Sequence, residues 1–265
     1  MRYEILGSLR VIMDDECALL DSRKLEILLA TLLIRADRVV QARFLMTELW
    51  DEEPPARAVA GIHVNISRLR KFLKQGKQEV GPIVTRSPGY MLQLRADEVD
   101  SRIFEKMVQL GRDELRRQDY AQASSVLRSA LDMWRGSSPF GGLLGGPILA
   151  GFSKRIEEAR LECTEMLIEA DLALGRHREL VSELYSLIIE YPAQEAFYQY
   201  LMLALYRSDR QADALAVFHR ARQVINSELG LEPCQTLRDL HRSILMEDSR
   251  LDPLSNRTRF TAIGL

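Results

Sequence analysis

The sequence predicts a mainly α-helical protein with a small β part, and three observations carry that expectation. Short β-prone runs bounded by Gly, Asp, Ser and Pro are gathered in about the first 95 residues. Three stretches of the same segment repeat their apolar residues at helical spacing. From residue 102 onward helical runs follow one another, and part of that array recurs after 34 residues.

In chain order, residues 3–6 and 9–12 are β-prone on either side of Gly7-Ser8, and Asp14-Asp15-Glu16 leads into 18–20. Together they read as a small antiparallel sheet. Residues 22–36 place Leu25, Leu28, Leu29, Leu32 and Leu33 at helical spacing, with Asp21 or Ser22 as the N-cap. Val39-Val40 is a brief extended link, and 42–49 forms a second helix. Trp50 leads into Asp51-Glu52-Glu53-Pro54-Pro55, where two prolines end one helix and free the next to begin. Between Pro55 and Gln75, Val59, Ile62, Ile66, Leu69 and Leu73 share one helical stripe, while Ala60, Val64, Ser67, Arg68 and Lys71 fall on the opposite face. Residues 76–82 read as a loop. Strands at 83–85 and 90–94 flank Arg86-Ser87-Pro88-Gly89, a hairpin with an arginine near its tip. Antiparallel sheet, three helices and β-hairpin wing, in that order, make a winged helix-turn-helix over residues 1–95.

Residues 96–101 read as a short acidic linker. Helical runs follow near 102–117, 120–134, 152–174, 177–190, 194–207, 210–227 and 235–247, parted by glycine, proline and polar breaks. Residues 175–187 recur 34 residues later as 209–221, and 117–131 has a related form, with Ala123 and Ala130 where Ala214 and Ala221 sit. That period marks an all-α tetratricopeptide-like domain, expected over 102–250, whose stacked helix pairs bind proteins or peptides. Residues 251–265 read as a polar tail.

The formal net charge of -2 conceals an asymmetry: residues 1–95 hold 15 Lys+Arg against 12 Asp+Glu, and 96–265 hold 21 against 26. Within 56–95 eight basic residues face a single acidic one, so the positive charge is local. Cys17, Cys163 and Cys234 lack metal-site spacing, which points to a reducing cytoplasm and no metal. No signal peptide or membrane span is expected, the longest apolar run, residues 25–34, being half a span. The glycine-rich loop over 136–146 lacks the Gly-Lys-Ser/Thr that grips nucleotide phosphates, the four histidines are scattered, and no nucleophile elbow exists. Neither an enzyme nor a cofactor is expected. Trp50 and Trp134 read as core anchors.

The stretch from 55 to 75 carries the functional reading. One side can be buried, and the other is small, polar and cationic, which suits a helix in the DNA major groove: small side chains permit close approach, a guanidinium reads guanine edges, and flanking cations meet phosphates. The bland alternative is a core helix with a solvated basic face. Arg86 can enter the minor groove from the wing, or serve as an ordinary turn residue.

The segments Tyr3-Glu4-Ile5-Leu6-Gly7, Glu48-Leu49-Trp50, Asp51-Glu52-Glu53-Pro54-Pro55, Ile66-Ser67-Arg68-Leu69-Arg70, Thr85-Arg86-Ser87-Pro88-Gly89-Tyr90, Leu201-Met202-Leu203-Ala204-Leu205-Tyr206-Arg207 and Glu228-Leu229-Gly230-Leu231-Glu232-Pro233 resemble, in order, the antibiotic regulatory proteins of actinobacteria, the SARP family. The resemblance implies an OmpR-type winged helix ahead of a bacterial transcriptional activation domain, and activation of secondary-metabolite genes. It implies a base contact at Arg68, phosphate contacts among Ala60, Gly61, Asn65, Ser67 and Arg70, and a wing arginine at Arg86. Arg57, Val64, Lys71, Lys74, Thr85 and Tyr90 complete the expected DNA-binding set. The expected partners are double-stranded DNA with promoter direct repeats, bound as a dimer, and the RNA polymerase sigma and alpha subunits, met by Asp51, Glu52 and Glu53. Two readings stay open beside this one: a helical-repeat scaffold that binds an acidic protein, and the DNA-binding fragment of a larger ATPase-containing regulator.

Overall fold

The computed structural model describes residues 1–74 and 81–251. Part of the expected loop, residues 76–80, Gln75 at the end of the central stretch, and the expected tail from 252 lie outside the described residues. The chain forms two compact units, one from Met1–Gln109 and Ser129–Glu162, the other from Leu110–Arg128 and the chain from Cys163.

The first unit opens with β1 (Arg2–Glu4), β2 (Arg10–Met13) and β3 (Glu16–Ala18), each antiparallel to the next. Asp14 and Asp15 join β2 to β3 with φ of 48° and 65°, the positive pair that a two-residue hairpin needs and that aspartate tolerates. Strand β7 (Glu98–Val99) pairs parallel with β1 and gives the sheet order β3-β2-β1-β7. Residues 96–101 are therefore not a free linker: they contain a strand and, at Asp100 and Ser101, the start of helix α4 (Asp100–Arg116). Asp100 is buried and accepts the amides of Ile5 at 2.9 Å and Leu6 at 3.0 Å, with Arg135 at 3.4 Å. Burial raises its pKa, against the pull of those donors.

Helices α1 (Arg23–Ile34), α2 (Ala42–Trp50) and α3 (Ala58–Leu73) follow, with β4 (Val40–Gln41) between the first two. The core contains Leu25, Leu28, Leu29, Leu32, Leu45, Ile62, Ile66, Leu69 and Leu73, all buried. The wing is β5 (Ile83–Arg86) and β6 (Gly89–Leu92), with β6 central in the order β4-β6-β5. Gly89 admits no side chain, because a Cβ there would collide with the Val40 carbonyl of the crossing strand. Helix α6 (Pro147–Ala173) starts five residues before its expected position. Its cap is remote in sequence: the buried Glu48 carboxylate accepts the amides of Ile148 at 2.7 Å and Leu149 at 3.2 Å.

In the second unit, α7 (His177–Glu190), α8 (Glu195–Tyr206), α9 (Gln211–Leu229) and α10 (Gln235–Leu245) form stacked pairs, and α5 (Tyr120–Leu131) supplies a further repeat-like helix. Helices α7 and α9 start 34 residues apart. Two residues before α5, α7 and α9 stand Gln118, Gly175 and Asp209, all at positive φ. In each turn the next amide bonds back five residues, Asp119 to Glu114, Arg176 to Asp171 and Arg210 to Leu205. Ala123, Ala130, Ala214 and Ala221 are fully buried, as close helix packing in such repeats requires. Asp171, nearly inaccessible, accepts from Ser124 and Arg128 at 2.6 Å and Arg176 at 2.7 Å, fastening α5 to the α6–α7 turn.

Candidate nucleic-acid interface

Helix α3 forms where expected because its apolar stripe has an apolar floor, and Pro54 and Pro55 keep α2 from running into it. Ala60, Val64, Ser67, Arg68 and Lys71 are all exposed, as are Arg57 at the N-cap and Lys74 at the C-cap. The helix carries no acidic residue. Two positions differ from expectation. Val59, expected on the buried stripe, is 51% exposed, whereas Asn65 is buried on the core side. The stripe is thus displaced toward Ala58, Ile62, Asn65, Ile66, Leu69 and Leu73, and the open face widens to include Val59 and His63. Gly61 is small for a structural reason, since a Cβ there would meet the Trp50 indole at 3.3 Å. Trp50 is half-buried, with the Lys24 ammonium 5.2 Å from its ring, and Trp134 is half-buried between Phe104 and Arg160.

The four basic residues toward the end of α3 have different surroundings. Lys71 and Lys74 are exposed and in no ion pair among the described residues. Arg68 donates from Nη2 to both carboxylate oxygens of Asp21 at 3.2 Å. Arg70 is turned to the wing, with Nε on the Ile83 carbonyl at 3.0 Å, Nη2 on Thr85 Oγ1 at 2.8 Å, and the guanidinium 5.9 Å from the Tyr90 ring. Tyr90 is buried beneath it, so Tyr90 and Asn65 support the face from below and are not part of its accessible surface. Thr85 is exposed, and Arg86, paired with Gly89 across the Ser87-Pro88 tip, is exposed with no side-chain partner among the described residues.

Asp51, Glu52 and Glu53 are exposed, and none of their carboxylates is in an ion pair among the described residues. They precede α3 by five residues or more, outside the first turn where its dipole acts. Sequence reasoning missed Asp21 beside Arg68 and the bracing by Arg70. Neither has a local signal, because each bond joins segments that only the fold brings together. Among the described residues no cluster of three or more His, Cys, Asp or Glu could hold a metal, and no helix is long and apolar enough to cross a membrane.

Comparison with known proteins places this architecture. Residues 99–245 match the family model of the bacterial transcriptional activator domain, and residues 17–92 that of the transcriptional regulatory protein, C terminal. The chain is 37% identical over 263 residues to regulatory protein AfsR of Streptomyces coelicolor, across 99% of this chain and 26% of that relative, and so spans about a quarter of its length. It is 34% identical over 240 residues to regulatory protein DnrI of Streptomyces peucetius, across 87% of both. The solved structure of Mycobacterium tuberculosis EmbR with a low-affinity phosphopeptide matches with a TM-score of 0.86 at 31% identity, over 93% of this chain and 65% of that one. The chain belongs to the SARP family of transcriptional regulators, with an OmpR-type winged domain followed by a helical bacterial transcriptional activator domain.

Proposed function

We propose that this chain is a sequence-specific DNA-binding transcriptional activator of secondary-metabolite genes, acting in the cytoplasm at the nucleoid. The observation that carries the reading is the open face of α3: Ala60, Val64, Ser67, Arg68 and Lys71 exposed together on a helix without an acidic residue. Small residues let the helix approach base edges, Arg68 has the donors for a guanine, and Arg57, Lys71 and Lys74 meet phosphates. Arg86 extends from the wing toward the minor groove. Two protomers occupy promoter direct repeats, and Asp51, Glu52 and Glu53 meet RNA polymerase through a basic surface of its sigma or alpha subunit.

Selection from a random duplex pool, followed by titration of the selected and a scrambled duplex at two salt concentrations, tests the reading. A preferred sequence whose binding weakens steeply with salt is the expected result. Equal, salt-insensitive binding of both duplexes would refute it.

A further inference from the structure

We propose that Asp21 is a positioning residue for Arg68, holding the guanidinium in the orientation that reads a base pair and away from the phosphates. This rests on α3 being a recognition helix. Helix α3 supplies no carboxylate of its own, so the acid on Arg68 is delivered by another element, from just ahead of α1. Both Asp21 oxygens accept from the single atom Nη2 at 3.2 Å, and among the described residues neither Nε nor Nη1 has an acceptor, so each keeps a hydrogen to donate to a base.

Local stability does not account for this pair. The two side chains are 49% and 75% exposed, and ion pairs so open to solvent add little to folding. Nor does Asp21 cap α1, whose N-cap is Ser22 with no side-chain cap bond. A carboxylate on a face that meets DNA repels phosphates. Placed on Arg68, it has two effects of the same sign on selectivity: it weakens sequence-independent binding, and it reduces the rotamer freedom the arginine loses on contacting a base. A free arginine at this position would swing to the nearest phosphate as readily as to a base edge.

The test measures binding of the full chain to every single-base variant of the selected duplex, using wild type, Asp21→Asn, Asp21→Glu, Arg68→Ala and the Asp21→Asn/Arg68→Ala double variant. Asp21→Asn is expected to flatten preference at the same base pair as Arg68→Ala, by about three- to tenfold, with random-duplex affinity held or raised. Asp21→Glu, which keeps a carboxylate, restores part of the preference. The double variant matches Arg68→Ala at that base pair, because an orienting group without its arginine has nothing to orient. An unchanged profile in Asp21→Asn, or losses that add in the double variant, overturns the inference while leaving DNA recognition standing. A wild-type protein without sequence preference refutes both.

Discussion

Replacing Arg70 by alanine separates bracing of the wing from contact with DNA. In the structure Arg70 joins the last turns of α3 to the hairpin through the Ile83 carbonyl at 3.0 Å, Thr85 Oγ1 at 2.8 Å and the Tyr90 ring at 5.9 Å. A hydrogen bond from a charged donor contributes about 1.5–3 kcal/mol when sheltered. The Ile83 bond is half-sheltered and the Thr85 bond is exposed, so the second lies well below that range. The cation beside Tyr90 adds about 0.5–1 kcal/mol. The expected destabilisation is about 2–4 kcal/mol, which for a unit of this size lowers the unfolding midpoint by roughly 4–16 °C.

Urea and thermal unfolding followed by circular dichroism, beside duplex titration at several salt concentrations, read both effects. Arg70→Lys sharpens the comparison, since it keeps the charge and loses the planar fork. Bracing predicts that Lys is destabilised nearly as much as Ala, with DNA binding lowered on all sequences and the salt slope preserved. Unchanged stability in both variants, with the salt slope reduced by about one in Arg70→Ala alone, would instead make Arg70 a phosphate contact.

Arg68→Ala is expected to relax preference at one base pair by about 1–3 kcal/mol, whereas Lys71→Ala weakens all duplexes alike and lowers the salt slope by about one; titration of matched cognate and scrambled duplexes distinguishes them. Arg86→Ala should cost most affinity on A·T-rich flanks, and equal sensitivity of variant and wild type to G·C flanks would remove the wing from shape reading. Asp100 binds its proton more tightly folded than unfolded, so its contribution is fully present below the unfolded aspartate pKa and declines as pH rises through the raised folded value. The stability difference between wild type and Asp100→Asn should therefore fall from about pH 4 upward, and a flat or rising difference would contradict burial as the dominant cause. Substituting Asp51, Glu52 and Glu53 together by serine should leave duplex affinity unchanged or tighter and reduce transcription from a target promoter in vitro; full transcription by the folded variant would detach these acids from polymerase contact.

The elements legible in the sequence were those whose signal is local. Five leucines at helical spacing placed α1, paired prolines separated α2 from α3, and the 34-residue recurrence placed α7 and α9. The wing was legible because Pro88-Gly89 interrupts two β-prone runs, and the open face of α3 because its cationic and small residues follow the helical period. Val59, expected on the buried stripe, and Asn65, a phosphate contact by the family resemblance, both depart from expectation. A stripe read from apolarity alone omits a polar residue that packs inward, as Asn65 does, and includes a valine that the fold leaves exposed, as at Val59.

What remained hidden depends on bonds between distant segments. Glu48 reads as an ordinary residue of α2 until α6 is seen to begin on its carboxylate, 100 positions later. Asp100 reads as linker until the Ile5 and Leu6 amides are found on it, and β7 is too short to announce itself without β1 as its partner. These three connections share a consequence for where the winged unit ends. A boundary drawn at residue 95 falls where the sequence pattern changes, yet it would strip two amides of their acceptor, remove an edge strand and leave the buried Glu48 carboxylate without its donors. A hydrogen bond to a charged group contributes at most about 1.5–3 kcal/mol net, and several are lost together with the edge strand, so such a cut weakens a fold that typically holds by only about 5–15 kcal/mol. The winged unit is completed by residues 97–100, 135 and 148–149, and its limits follow hydrogen-bond satisfaction more closely than composition.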